Sequence, residues 1–184
     1  MNRATPWINH ITKTCNAQPS PSLRDGHIAV KTEPWGLGGG SAIAQLYLPL
    51  NRQQCWQKVT NYPQWVNYFP DITHSQVLTQ NQQLYQKGIK DFILLRIEVE
   101  IYLQIRETLN QAIEFQLLKG SFSEFLAYLH LQDYQQGTLV SYAVQATPNF
   151  PVPAPLIEQA LKIELPANMR HMRQVLCPLT EDAK

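Results

Sequence analysis

No stretch of this 184-residue chain holds eighteen consecutive apolar residues, so no segment is built to cross a bilayer as a helix. Clustered charge of one sign is also missing: 15 Lys and Arg stand against 14 Asp and Glu, a net charge of +1 without a basic stripe. Phosphate neutralisation needs grouped cations, so nucleic acid is excluded as a partner. Three cysteines, Cys15, Cys55 and Cys177, lie far apart and form no CxxC pair. That excludes a disulfide framework and a thiolate zinc site. Histidines His10, His27, His74, His130 and His171 show no metal-ligand spacing, and HExxH is absent, so no metal or other cofactor is expected. The opening MNRATPWINHITKTC carries no apolar core of secretory type. The expectation is a soluble, cytoplasmic protein with no transmembrane segment, with which transient contact at a membrane surface is compatible.

What the chain does have is strict alternation. From Leu95 to Arg106, apolar Leu95, Ile97, Val99, Ile101, Leu103 and Ile105 interleave with Arg96, Glu98, Glu100, Tyr102, Gln104 and Arg106. A period of two over that length is one long strand with a dry face and a wet face. On the wet face Glu98 and Glu100 share a surface with Arg96 and Arg106, which is ordinary cross-strand charge pairing rather than an acid/base pair. The length allows one domain with a real core, burying roughly two thirds of the unfolded surface. Residues 1–26 lack periodicity and read as a loose arm, 27–177 as a single domain, and 178–184 as a tail.

A short strand is expected over His27–Glu33, ended by Pro34. The run Trp35 to Gly40 then reads as a flexible turn, since it lacks the GK[ST] ending of a phosphate loop and no helix follows it. Ala42–Leu48 alternates as a strand. Asn51 caps a helix, with Gln54 in the capping-box position and Cys55, Trp56 and Val59 on its buried side. A second short helix fits YPQWVNYFP, where Pro63 suits the first turn and Pro70 forbids continuation. Its rings, Tyr62, Trp65, Tyr68 and Phe69, pack the helices on the sheet end or gate a pocket.

Strands follow near Ile72–Thr79, Gln83–Ile89, Phe92–Arg106, Gln111–Leu118, Phe122–Asp133 and Thr138–Ala146, with Asn81 in the first turn. Matching apolar to apolar sets a trial register. It pairs Ile105 with Ile113 and Leu103 with Phe115, with Asn110 left-handed in the loop. It pairs Phe115 with Phe125 and Ile113 with Ala127 across Lys119-Gly120-Ser121. Around Gln135-Gln136 it pairs Leu131 with Val140, Leu129 with Tyr142, Ala127 with Val144 and Phe125 with Ala146. The result is an antiparallel meander. From Leu156 to Leu176 apolar residues recur at helical spacing, and Pro166 inside that pattern must kink the helix and strip the Lys162 carbonyl of its usual partner.

Three segments, CWQKVTNYPQWVNYFPDITHSQVL, GSFSEFLAYLHL and GTLVSYAVQATPNFPVPAPLIEQALKIELPANMRHMR, resemble the START-like (SRPBCC) superfamily, and within it the polyketide cyclase/dehydrase and lipid-transport group with its coenzyme Q-binding-like members. The likeness spans about residues 42–176. Ala127 stands where similar chains often carry glycine, and Leu129 where they often carry tryptophan. The resemblance implies an α+β helix-grip fold: a curved antiparallel sheet of about seven strands wrapped on a long Pro-kinked C-terminal helix, with two short helices after the first strand.

It also implies a hydrophobic tunnel between sheet and helix, for a lipid, an isoprenoid or quinone, or a polyketide-like ring compound. The ligand-binding residues are then expected among Tyr68, Phe69, Ile97, Val99, Ile101, Leu103, Phe115, Phe125, Leu129 and Tyr142 on the inner side. Ile157, Leu161, Leu165 and Met169 complete the set from the helix. No catalytic residue is assigned. Tyr142 falls on the inner face, where its hydroxyl meets a neighbouring side chain or a ligand oxygen. His74 shares a face with Ile72 and Leu78 and is a candidate for pointing inward, whereas His130, opposite Ser141, is expected to be solvated.

Leu118, Phe122, Leu126, Tyr128 and Leu139 interrupt the outer face, with Leu118 opposite Phe122. Such a patch suits a partner or a second copy, or the arm folding back over it. Three functions stay open: a carrier of a hydrophobic small molecule, a cyclase or dehydratase using Tyr142 or His74 in the same cavity, and an interaction module with a filled core.

Overall fold

The computed structural model describes residues 11, 23, 26–35, 38–78, 82–92 and 95–178. Eight strands form one antiparallel sheet: β1 (Ala29–Trp35), β2 (Gly39–Leu48), β3 (Ile72–Leu78), β4 (Gln83–Phe92), β5 (Leu95–Thr108), β6 (Ala112–Gly120), β7 (Phe122–Tyr134) and β8 (Gly137–Pro148). Their order is β1-β2-β8-β7-β6-β5-β4-β3, so the chain leaves β2 and re-enters at the far edge. Helices α1 (Arg52–Val59) and α2 (Trp65–Tyr68), joined by a 3₁₀ turn over Tyr62–Gln64, make that crossing. After β8 come α3 (Ala154–Gln159), a π turn (Ala160–Glu164) and α4 (Leu165–Leu176). Residue 79 of the third expected strand, Asn81, most of the arm 1–26 and residues 179–184 of the expected tail lie outside the described residues.

Local chemistry accounts for the elements. Asn51 accepts from the Gln54 amide at 2.8 Å while the Gln54 side chain accepts from the Asn51 amide at 3.2 Å, closing the capping box. Trp65 then ties α2 to α1 by donating from Nε1 to the Val59 carbonyl at 2.9 Å. Pro34 does not end β1, which runs on to Trp35 with Pro34 opposite Gly40. Proline is tolerated there because β1 is an edge strand with one unpaired side. Gly39 and Gly40 belong to β2 rather than to a flexible turn.

The β7–β8 hairpin has the expected register, including Leu129 opposite Tyr142 and Ala127 opposite Val144, around Gln135 at φ 55°. The next two hairpins do not. Ile105 faces Phe115 and Leu103 faces Leu117 across a loop with Asn110 at φ 56°. Phe115 faces Ala127 and Ile113 faces Leu129. A slip of two residues keeps every side chain on its face, so apolar matching alone does not distinguish the two registers. Where β5 shifts register between Tyr102 and Leu103, Ile101 faces Gly120. A Cβ at Gly120 would lie 2.2 Å from the Glu100 carbonyl oxygen, which is why that position is bare.

Two further irregularities move side chains across the sheet. Between Ile72 and His74 the pairing with β4 shifts, so Ser75 and Val77 turn inward and His74 is exposed. His74, a candidate for pointing inward, does not do so: it lies 5.5 Å from the Tyr85 ring and 3.3 Å from Gln76 Oε1. Between Phe122 and Glu124 the pairing with β8 shifts too, and Phe122 turns to the inner side instead of meeting Leu118 outside. Such bulges add one residue to one strand and reverse the parity beyond it.

The outer apolar patch is largely covered. Leu126, Tyr128 and Leu139 are buried, and Ile11 joins Leu126, Tyr128, Ile43, Ala112 and Ala143 in a separate cluster. Ile11 thus covers part of the patch, in line with the alternative in which the arm folds back over it; of the five patch residues Leu118 stays exposed, at 47%. His130 does face Ser141, but it is half-buried and stacks on Tyr128 at 6.1 Å, with Nδ1 buried and unbonded among the described residues. Burial, and then the charge of Arg52, depress its pKa.

Candidate ligand cavity

The C-terminal helix treats its two halves differently. In α4, Met169, Met172 and Leu176 are buried against Leu46, Leu48, Cys55 and Trp65 in the main core. This half is anchored by Arg173, whose Nε donates to the Tyr47 carbonyl at 3.1 Å, and by His171, 3.1 Å from the Asn67 carbonyl. The π turn over Ala160–Glu164 has no buried residue. There the Leu165 amide reaches back to the Ala160 carbonyl. The wider turn stands immediately before Pro166, which lacks the N–H an α-helical ladder would need.

Under the π turn lies a cavity of about 340 Å³. Its floor is aromatic, made of Trp65, Phe69 and Tyr142, with Phe69 and Tyr142 rings 6.5 Å apart. Phe122 and Phe125, 5.5 Å apart, stand on one side and Ile72, Gly88, Val99 and Ile101 on the other. Val144 comes from the sheet, and Ala160, Leu161 and Leu165 form the roof. Gly40 makes room for that roof: a Cβ there would fall 2.3 Å from Leu161 Cδ1 and 3.1 Å from Ile157 Cγ2.

Polar groups sit mostly at the mouth. Asp71, Glu164 and Asn168 line both the cavity and an outer groove of about 500 Å³ that also touches Arg96 and the exposed Ile163. Asn168 Nδ2 donates to Asp71 Oδ2 at 3.2 Å, and Glu164 accepts from Gln159 at 3.2 Å. Inside, Gln86 donates to Ser75 Oγ at 3.2 Å, and that hydroxyl donates to the Tyr62 carbonyl at 2.7 Å. Tyr142 is different. Burial pushes its pKa well up, and its hydroxyl bonds no described residue. The surface it retains is cavity wall. Among the described residues no neighbouring side chain satisfies the hydroxyl.

Of the residues expected to bind a ligand, Phe69, Val99, Ile101, Phe125, Tyr142, Leu161 and Leu165 line this cavity. The others do not. Leu103, Phe115, Leu129 and Met169 are buried in the main core, and Phe115 packs edge-on to Trp65 at 5.3 Å and to Tyr62 at 6.1 Å. Tyr68 is buried beside α1, its hydroxyl donating to the Lys58 carbonyl at 3.3 Å. Ile97 lies further along β5, and Ile157 packs over Gly40 outside the lining. The lining residues not anticipated include Trp65, Gln86, Gly88, Phe122, Val144, Glu164 and Asn168. For Gln86 a signal existed: it shares the face of Leu84 by simple alternation on β4, and Leu84 is fully buried.

Neither described thiol, Cys55 or Cys177, lines this cavity. Burial, and secondly the neighbouring Cys177, push the Cys55 pKa up to about 12, so it stays a neutral core residue. Among the described residues no group of His, Cys, Asp and Glu is arranged to hold a metal, and no helix is long and apolar enough to cross a membrane.

A curved sheet gripping a C-terminal helix over an apolar cavity defines the START-like class. The chain belongs to the polyketide cyclase/dehydrase and lipid transport family, whose model matches residues 48–173. Solved structures share the fold at low identity. A STAR-related lipid transfer protein fragment from Xanthomonas axonopodis superposes with TM-score 0.61 at 15% identity, covering 87% of this chain and 96% of that one. A START superfamily protein from Mycobacterium smegmatis gives 0.56 at 14%, covering 82% and 94%. CalU16 from Micromonospora echinospora gives 0.55 at 12%, covering 83% and 86%. No protein of curated function matches the chain by sequence.

Proposed function

We propose that this protein binds and carries a hydrophobic small molecule in the cavity beneath the π turn. The observation that carries the reading is a hollow of about 340 Å³ beneath the π turn, walled mostly by aromatic and aliphatic side chains. That volume falls at the low end of small-molecule sites, which run from about 300 to 1,000 Å³. Family membership supports the same reading, as does the lipid transfer named for the Xanthomonas axonopodis relative.

Binding is favoured over cyclase or dehydratase chemistry by the state of the interior groups. Tyr142 holds its proton far above neutrality, so it serves as a hydrogen-bond donor rather than an acid that exchanges protons. His74, the other candidate, is exposed and is not part of the lining. The test is the fluorescence enhancement of N-phenyl-1-naphthylamine, a neutral apolar fluorophore. Leu161→Arg places a charge in the cavity roof and is expected to abolish the enhancement. Leu109→Arg, at a residue 72% exposed, is expected to leave it intact. Equal enhancement in both variants would contradict the assignment.

A further inference from the structure

The cavity is apolar except at a few points, and one of these has no hydrogen-bond counterpart among the described residues. Tyr142 stands on β8 opposite Leu129 and Ala44, both fully buried, so its ring is held from both flanking strands. No described residue takes its hydroxyl proton, and the ring contributes to the cavity floor. The hydroxyl is not sealed, since it is absent from the buried unbonded polar atoms of the described residues, and Tyr142 is part of the cavity lining. It is therefore open to donate to whatever occupies the cavity.

Charge at the mouth narrows the occupant further. Asp71 and Glu164 line the mouth and Arg96 the groove outside it, so charges of both signs meet there and no grouped cations await an anionic head group. Among the described lining residues the cation is Lys87, whose pKa is raised by the Tyr85 hydroxyl first and also by Glu100 and Glu98. The aromatic floor and the volume of about 340 Å³ suit a compact ring system better than paired acyl chains.

From this juxtaposition we infer that the ligand is a neutral, ring-sized apolar molecule bearing a carbonyl or hydroxyl oxygen that accepts a hydrogen bond from Tyr142. This rests on the carrier reading and specifies it: free fatty acids and bare hydrocarbons are not the preferred cargo.

The experiment compares α-tetralone with tetralin, its counterpart lacking the oxygen, and with palmitate, by isothermal titration of the wild-type protein and of Tyr142→Phe. Wild type binds α-tetralone about fivefold tighter than tetralin, the size of one net hydrogen bond, and binds palmitate more weakly than either. Tyr142→Phe binds tetralin unchanged and loses the preference. In wild type alone, the infrared carbonyl band of bound α-tetralone shifts to lower frequency, which needs no variant to fold. Equal wild-type affinities with no band shift overturn the inference and leave the carrier reading standing. A preference that survives Tyr142→Phe, or palmitate binding tightest, also overturns it. Failure of all three molecules to bind overturns both.

Discussion

A cavity and a packed core respond oppositely to an added side chain, and Val99→Phe exploits the difference. Val99 lies on the inner face of β5, lines the cavity, and pairs across the ladder with Gly88. The space over Gly88 is already taken by Val99 Cγ2 and the Asp71 carbonyl, 3.2 and 3.0 Å from where a Cβ at 88 would stand, so the added ring atoms at position 99 must enter the cavity. Phenylalanine keeps the strand preference of valine. It adds roughly four methylene equivalents, each worth about 0.8 kcal/mol when buried, from which ring ordering and incomplete burial subtract. The net expectation is about 1–2 kcal/mol of stabilisation of the ligand-free protein. For a chain of this length that is a rise in Tm of roughly 2–8 °C. In a filled core the same change overpacks and costs about 1–3 kcal/mol. The assay is thermal and urea denaturation of protein stripped of bound organic material, with α-tetralone titrated alongside. A more stable variant with weakened ligand binding is the expected pair of results. A destabilised variant with unchanged binding would refute the existence of usable space at this site.

Two other perturbations separate core from cavity and inner from outer face. Phe115→Ala removes a ring packed against Trp65 and Tyr62 and is expected to cost about 3–5 kcal/mol, read as a lower urea midpoint, while α-tetralone selectivity in the folded fraction is unchanged. His130 has a folded pKa below its ordinary 6.5 because burial and Arg52 disfavour its charge. In the window below 6.5 the unfolded chain binds more protons, so stability rises with pH there and is lost on acidification. Urea midpoints measured between pH 8 and pH 5 should fall less steeply in His130→Gln than in wild type. Parallel slopes would mean that the imidazole is solvated after all.

Much of the architecture was legible because it rests on long periodic patterns. Leu95 to Arg106 alternates without interruption, and the same residues span β5. The β7–β8 register was legible because a tight turn at Gln135-Gln136 leaves few alternatives. The β5–β6 pairing was not, because sliding by two residues leaves every apolar contact on the same face. His74 and Phe122 were assigned to the wrong faces for a different reason. Each lies beside a bulge, and an extra residue in a strand reverses parity without leaving a compositional mark. The site was half legible. Val99, Ile101, Phe125 and Tyr142 face inward by alternation, yet so do Leu103, Phe115 and Leu129. An apolar inward residue reads alike whether it meets another side chain or empty space. What separates the two groups is their place along the helix: the cavity residues lie under the π turn at Ala160–Glu164, which has no buried residue, and the core residues lie under the helix that follows it. Pro166 announced that something happens to the helix there, though not that the ladder would widen by one residue.

The central claim is that the space under the π turn holds an apolar molecule, and native mass spectrometry of the purified protein, followed by organic extraction, tests it most directly. The account predicts a discrete adduct whose extracted component is neutral, ring-bearing and oxygenated, and which is lost from Leu161→Arg. A clean unliganded mass in wild type that also resists loading with α-tetralone, isoprenoids, quinones and fatty acids would contradict it.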